Sequence, residues 1–343
     1  MSPIRRASRA CVARPAVVAV ASCLVIGGCT PESTLWPSGA GADRIASLSW
    51  FLIGVAAVVY VAVLATMFMA MTRNRDRPRD GIDLTPGNTR FVSLGGAVIP
   101  GVILAAVFVV GMSIMGAFPT QPPANQLTIH VVGHQWWWQA DYDYPALQQR
   151  FTTANELHIP VGVPVKVLLT SADVIHSFWV PRLQGKLDVI PGDTNDTRLL
   201  AKQAGTYRGQ CAEFCGLQHA HMGIVVVADP PAQFAKWATQ QLGPGVAPHD
   251  SLTLIGQHVF VSGPCALCHT VRGTPAMGTV GPDLTHVGSR VTIGAGLMPN
   301  TLASIEGWIA NPQALKPGVQ MPPNTQFSGF ELRALASYVS SLK

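Results

Sequence analysis

Two long apolar segments near the N-terminus place the strongest limit on how this chain of 343 residues can fold. They cover residues 45–71 and 91–118, and each is long enough to cross a bilayer as a tilted helix. Buried core helices can be equally apolar, but here an arginine-rich stretch, 72–79, lies between the two runs. Because positively charged loops stay on the cytoplasmic side, the pattern predicts a transmembrane hairpin with everything after Pro119 on the opposite side.

The first thirty residues predict a bacterial export signal. A basic region with four arginines precedes a short apolar run, 15–26, which is too short to span a bilayer. The following Ile26-Gly-Gly-Cys29 resembles a lipobox, so we expect removal of residues 1–28 and lipidation of Cys29. Ordinary cleavage or an uncleaved anchor is the alternative. Without the signal arginines the formal charge of +5 falls to about +1, so the charge says little about partners. The sequence has no basic patch interleaved with aromatic residues, and no nucleic-acid partner is expected.

The rest of the chain divides into a β-rich part and a helical part. Short β-rich runs separated by Pro and Gly turns begin after Asn125. The clearest of these runs are 127–132, 165–170, 197–201 and 223–227. They predict a Greek-key sandwich of cupredoxin type, followed by a small all-α domain. The predicted units are a membrane segment, the sandwich, a Gly- and Pro-rich linker and the helical domain, at 29–120, 121–230, 231–250 and 251–343.

One loop of the predicted sandwich combines soft metal ligands. It contains Cys211, Cys215, His219 and Met222, and a lone His176 precedes it by 35 residues. Thiolate and thioether donors select copper over hard cations, and a thioether has no place in a structural zinc site. The spacing allows the loop to surround two ions with both sulfurs bridging. On these residues alone, a disulfide or a zinc site with two Cys and two His remains an alternative.

A second metal motif lies in the helical part. Cys265-Ala-Leu-Cys268-His269 has the C-x-x-C-H pattern of covalent c-type haem attachment, in which the His ligates the iron. A bare C-x-x-C is more typical of a redox dithiol or half a zinc site. The adjacent His, and the lack of a second C-x-x-C in this region of the sequence, argue against both. The motif therefore predicts one covalently bound haem c.

The sixth iron ligand should be a methionine further along the chain. Met321 follows His269 by 52 positions in a Pro-rich loop, and Met298 is its rival. We prefer Met321 because the next segment, 330–342, has leucines and a valine on one helical face, which resembles the closing helix of a small class I cytochrome c. A His and Met pair raises the haem potential.

Three segments together resemble subunit II of haem-copper cytochrome c oxidases. They are the loop from Cys211 to Met222, the segment 171–181 around His176 and the aromatic cluster 133–138. The resemblance implies a dinuclear CuA centre. Its ligands would be the side chains of His176, Cys211, Cys215, His219 and Met222 and the backbone carbonyl of Glu213. It also implies a magnesium ion at Glu213, shared with subunit I, and electron entry at Trp136. On the residues alone, a Trp triplet is more often a packing anchor.

With the haem motif, the resemblance extends to caa-type oxidases, in which a cytochrome c domain is fused to subunit II. It implies an electron-entry subunit of an oxidoreductase complex with no catalytic residue of its own. Electrons from a c-type cytochrome or bc complex would pass from haem to copper and on to haem a of subunit I, where oxygen is reduced and protons are pumped. The implied partners are the other oxidase subunits and membrane lipid. The implied location is the bacterial inner membrane, with both metal domains on the periplasmic or outer face.

Two other functions remain open on the sequence. The chain could be the copper subunit of a nitric oxide reductase, because the terminal chemistry lies in another subunit. It could also be a free-standing membrane-bound carrier or copper-delivery protein, although delivery needs an open, exchangeable site. Quinol oxidase subunits lack the copper cysteines, so Cys211 and Cys215 argue against that class.

Overall fold

The computed structural model describes residues 32–73, 86–116, 127–144 and 148–343. The first helices are α1, Ala40–Arg73, and α2, Pro86–Ser93, which continues through a π-helical turn at Leu94–Val98 into α3, Ile99–Gly116. The apolar helical stretches of 34 and 26 residues measure about 51 and 39 Å at 1.5 Å per residue, more than the roughly 30 Å of a bilayer core. Both are thus long and apolar enough to cross a membrane, as the predicted hairpin requires. Cys29 and most of the arginine-rich stretch lie outside the described residues.

The N-terminal end of α1 is attached to the domain that follows the hairpin. Ala42 and Ala46 are buried there, and the Ser38 amide donates to the Arg182 carbonyl at 2.8 Å. Asp43 forms an ion pair with Lys202. These contacts fix the orientation of the β domain relative to the first membrane helix.

Among the described residues, ten strands form two five-stranded sheets. They are β1 Thr128–His134, β2 Trp137–Tyr144, β3 Gln149–Ala154, β4 Glu156–Pro160, β5 Val165–Ser171, β6 His176–Trp179, β7 Leu187–Val189, β8 Asn195–Leu199, β9 Gly205–Cys211 and β10 Gly223–Asp229. The sheet orders are β3-β2-β1-β5-β8 and β4-β10-β9-β6-β7. The pairs β1/β5 and β4/β10 are parallel and the other pairs antiparallel. The four β-rich runs seen in the sequence overlap β1, β5, β8 and β10, and the β-sandwich is confirmed.

Alternating burial along the strands produces the core of this sandwich domain. In β5, Val165, Val167 and Leu169 are fully buried while the residues between them are not, as expected for a strand with one face on the core. A further helix, α4 at Pro231–Leu242, adds Phe234 and Ala238 to the same core. The first part of the predicted linker therefore packs on the sandwich, which leaves residues 243–250 as the connection.

The C-terminal helical domain encloses a second core. Its elements are α5 Ser251–Ser262, α6 Cys265–Cys268, β11 Thr292–Ile293, β12 Met298–Pro299, α7 Leu302–Ala310, α8 Pro312–Leu315 and α9 Gly329–Ser341. Capping boxes at Asp250 and Ser328 start α5 and α9. The two helices pack so closely that a Cβ on Gly256 would lie 2.0 Å from the Ala334 carbonyl oxygen. The amphipathic segment 330–342 forms α9, and the small all-α domain is confirmed.

The two domains also contact each other directly, in addition to their covalent connection. Within the described part of the chain, five hydrogen bonds cross this interdomain interface: Lys316 Nζ to Trp136 O at 2.8 Å, Gln218 Nε2 to Pro317 O at 2.6 Å, Gly223 N to Ala295 O at 2.8 Å, Val291 N to Glu156 Oε2 at 2.7 Å and Arg208 Nη2 to Gly296 O at 3.2 Å. The turn between β11 and β12, residues 294–296, has positive φ throughout. Its backbone can therefore approach the sandwich closely.

Candidate metal centres

Tertiary structure brings His176 to the Cys-rich loop. Cys211 is the last residue of β9, and His176 is the first residue of the neighbouring β6. These strands pair with Phe178 opposite Cys211. At the other end of the loop the Cys211 amide donates to the Met222 carbonyl at 2.9 Å, just before β10 begins. Two rigid strands therefore hold both ends of the loop, which we call the copper loop, residues 211–222.

The predicted copper ligands form one compact group. Cys211 Sγ and Cys215 Sγ are 3.8 Å apart, and the other short contacts converge on these two sulfurs. They are His176 Nδ1 to Cys211 Sγ at 3.9 Å, Glu213 O to Cys211 Sγ at 3.2 Å, His219 Nδ1 to Cys215 Sγ at 3.7 Å and Met222 Sδ to Cys215 Sγ at 3.8 Å. The sulfur separation excludes a disulfide, whose S–S bond is about 2.05 Å. A metal ion with bonds of about 2.3 Å can reach both sulfurs, so the donor set fits bridged copper.

Burial and hydrogen bonding prepare this group for metal. His176 and Met222 are fully buried, and both cysteines are nearly so. A hydrogen bond between the two cysteines lowers the pKa of Cys211 and raises the pKa of Cys215, because the pair shares a proton between its sulfurs. Metal ligands must be deprotonated, so copper would displace that proton.

Sequence reasoning missed Asp173, which orients His176. Asp173 Oδ1 lies 2.8 Å from His176 Nε2. A carboxylate accepts this bond, so Nε2 carries the hydrogen and the Nδ1 lone pair faces Cys211. Gly133 completes the arrangement, since a Cβ there would lie 2.7 Å from the His176 ring. The Ser171-Ala-Asp-Val-Ile-His176 run contained the signal for this carboxylate, three residues before the His.

The haem motif lines a cavity of about 330 Å³. Cys265, Cys268, His269 and Met321 all lie in its wall, together with apolar side chains that include Phe260, Leu284, Ile305 and Leu335. His269 Nδ1 donates to the Pro282 carbonyl at 2.8 Å, so Nε2 keeps its lone pair. Burial lowers the pKa of His269, which favours the neutral imidazole that iron binds. Two thiols, an imidazole and a thioether in an apolar cavity fit a covalently attached haem.

The two candidate methionines occupy different places. Met321 is part of the cavity wall. Met298 lies in β12, where it pairs with Ile293 and packs against the core of the helical domain, and it does not belong to the described cavity lining. The geometry supports Met321 as the candidate for the iron.

Trp136 lies between the two sites. It forms part of the cavity wall, beside Gln135 and Trp137. Its indole Nε1 donates to the Cys215 carbonyl at 2.9 Å, and Gln135 Nε2 donates to the same oxygen at 2.8 Å. Gly216, at φ 113°, leaves room for them, since a Cβ there would lie 3.1 Å from Gln135 Nε2. One aromatic side chain thus connects the haem cavity to the copper loop.

The Glu213 side chain is exposed on the copper loop. Cys29 lies outside the described part of the chain.

Comparison with known proteins identifies relatives of both domains. The chain matches the family model "Cytochrome C oxidase subunit II, periplasmic domain" over residues 145–229 and the model "Cytochrome c" over residues 254–343. It is 36% identical over 332 residues to cytochrome c oxidase subunit 2 of Alkalihalophilus pseudofirmus, covering 93% of this chain and 94% of the relative. The Bacillus subtilis subunit 2 is 29% identical, with 93% and 95% covered.

A solved structure, the periplasmic domain of cytochrome oxidase subunit II from Bradyrhizobium japonicum, is 33% identical with a TM-score of 0.33, over 36% of this chain and 97% of that one. The full-length likeness to named subunits covers the hairpin, the sandwich and the helical domain together. The chain belongs to the cytochrome c oxidase subunit 2 family, in the form that has a cytochrome c domain fused to its C-terminus, and it serves electron transfer in a haem-copper oxidase.

Proposed function

We propose that this subunit passes electrons from a haem c in the cavity, through Trp136, to a dinuclear copper centre in the copper loop and on to haem a of subunit I. The observation that carries this path is the position of Trp136, in the cavity wall and hydrogen-bonded to the Cys215 carbonyl. The named relatives are cytochrome c oxidase subunits, which favours oxygen over nitric oxide as the terminal acceptor.

In this proposal Cys265 and Cys268 would hold the haem by thioether bonds, and His269 and Met321 would bind its iron. The copper ligands are His176, Cys211, Cys215, His219, Met222 and the carbonyl of Glu213. Bound copper and haem supply one-electron redox chemistry. The chain's own residues exclude water, orient the ligands and keep the geometry rigid, so little reorganisation accompanies each electron.

The proposal also includes a magnesium ion, an electron donor, a lipid anchor and a membrane location. The exposed Glu213 carboxylate would share a magnesium ion with subunit I. The donor would be a c-type cytochrome or bc complex, and Cys29 would bear lipid. The hairpin would lie in the bacterial inner membrane, with both metal domains on the periplasmic or outer face. The sequence boundaries 29–120, 121–230 and 251–343 are proposed as the functional units, with α4 counted with the sandwich.

Metal and haem analysis of the purified oxidase tests the ligand sets. We expect two copper ions per copy of this chain beyond the copper held by subunit I, and haem that stays on the denatured chain through acid acetone extraction. Stoichiometric zinc in this chain, or a denatured chain that carries no haem after extraction, would contradict the assignment. Oxygen uptake with a reduced cytochrome c tests the terminal reaction, and nitric oxide consumption without oxygen uptake would assign the chain to the alternative reductase.

A further inference from the structure

Lys316 is a charged residue in the cavity wall that is a ligand in neither proposed metal centre. Its side chain is buried in the interdomain interface, with 1% of the residue exposed. The ammonium group donates to the Trp136 carbonyl of the sandwich at 2.8 Å and to the Gly294 carbonyl of the helical domain at 3.2 Å. One cation therefore joins the backbones of both domains, at the residue that lies between the two metal sites.

Burying a lysine costs free energy, because its ammonium group loses contact with water. Burial lowers the pKa of Lys316 to about 8, since the charged form is poorly solvated there. An apolar side chain of similar length would fill the same volume without that cost, and buried charges often add no stability. Unlike an apolar side chain, the ammonium group makes directional hydrogen bonds. These bonds fix where the Trp136 backbone lies relative to the helical domain.

The residues after Lys316 make a second contact with the copper loop. Gln218 Nε2 donates to the Pro317 carbonyl at 2.6 Å, and a Cβ on Gly318 would lie 2.6 Å from Leu217 Cδ2. Residues 316–318 thus lie against residues 217–218, between the predicted copper ligands Cys215 and His219.

The same segment leads to the predicted iron ligand. Gln313 Nε2 donates to the Met321 carbonyl at 2.9 Å, and Gln313 Oε1 accepts from the Gly318 amide at 2.9 Å. A displacement of residues 316–318 would therefore be transmitted to Met321 in the cavity wall.

We propose that Lys316 is a positioning residue that holds the haem domain in one fixed alignment with Trp136 and the copper loop. Electron transfer between the two centres then needs no prior domain movement. The inference rests on the proposed haem-to-copper path. The covalent connection of residues 243–250 keeps the domains together, and Lys316 sets their alignment.

Hydrogen exchange in the intact oxidase tests the alignment without using activity. The amides of Val291 and Gly223 donate across the interface. In Lys316→Met we expect them to exchange about tenfold faster, the usual effect of losing a hydrogen bond from a charged group. Lys316→Glu, which places a carboxylate against two carbonyls, should exchange faster still. The matched control is Lys236→Met, which alters an exposed lysine on α4 and should leave both amides at the wild-type rate.

Flash photoreduction of the haem in the same complexes measures the functional effect. Wild-type transfer to copper should be independent of solvent viscosity, whereas in Lys316→Met it should be slower and viscosity-dependent. Wild-type exchange and wild-type transfer in both Lys316 variants would overturn the role of Lys316 alone. Absence of haem-to-copper transfer in the wild type would overturn the proposed path and this role with it. Should the Lys316 variants lose haem, Gln218→Leu loosens the same segment from the sandwich side, and unchanged exchange and transfer in that variant would overturn the proposal.

Discussion

Replacing Trp136 by Phe distinguishes an effect on the electron-transfer rate from an effect on the stability of the copper loop. Phe keeps an aromatic ring in the cavity wall but lacks the indole N–H that donates to the Cys215 carbonyl at 2.9 Å. That carbonyl keeps its second donor, Gln135 Nε2, at 2.8 Å. The substitution therefore removes one hydrogen bond and leaves no buried acceptor without a partner.

The expected loss of stability is small. A hydrogen bond between neutral groups contributes about 1 kcal/mol net, and the larger penalty for an orphaned acceptor does not apply. A free-energy change of about 1.4 kcal/mol alters a population tenfold, so loosening of the copper loop accounts for less than a tenfold change. If the indole provides the path, transfer should slow by more than that while the copper spectrum stays normal.

The assay is flash photoreduction of haem in the intact oxidase, followed by copper reduction. Trp137→Phe is the matched control, since Trp137 also lines the cavity but stacks on His134 at 4.3 Å between ring centroids. Transfer at the wild-type rate in Trp136→Phe, or an equal slowing in Trp137→Phe, would refute the assigned path.

Three further outcomes are expected. Met321→Ala should abolish the near-infrared sulfur-to-iron band and lower the haem potential, because the thioether favours ferrous haem; loss of the band in Met298→Ala instead would reverse the assignment. Met222→Leu should change the copper spectrum while the domain stays folded, because a thioether is a weak ligand, and an unchanged spectrum would contradict its role. His158 has both ring nitrogens against carboxylates, at 2.6 and 3.2 Å. Burial lowers its pKa, but these hydrogen bonds outweigh burial and raise the pKa above its ordinary value. The stabilisation by protonated His158 is complete below about pH 6.5 and is lost as pH rises through the raised pKa. When pH is raised from about 6 to about 9, the thermal unfolding midpoint should therefore fall less in His158→Gln than in wild type. An equal fall in both proteins would contradict this.

Local chemistry in the sequence was enough to predict the architecture. Apolar length predicts membrane helices because the bilayer has a fixed thickness, and alternation in runs such as 165–170 predicts strands with one buried face. The ligand types at Cys211, Met222 and His269 predict copper and haem because soft donors and the C-x-x-C-H pattern have few other uses. These inferences need only neighbours in the chain.

What the sequence could not show was how distant segments meet. Asp173 acquires its role only because β6 places His176 beside Cys211. The sequence preferred Met321 over Met298 from the helix that follows it, and the structure adds that Met321 lines the cavity. The Gly- and Pro-rich connection predicted a tether between the metal domains, yet Lys316 and Gln218 also join them directly. Such contacts depend on the packing of two separately folded cores, which local periodicity does not encode. The sequence determined which metals this protein can hold, and the tertiary structure decided how the two sites face each other across Trp136.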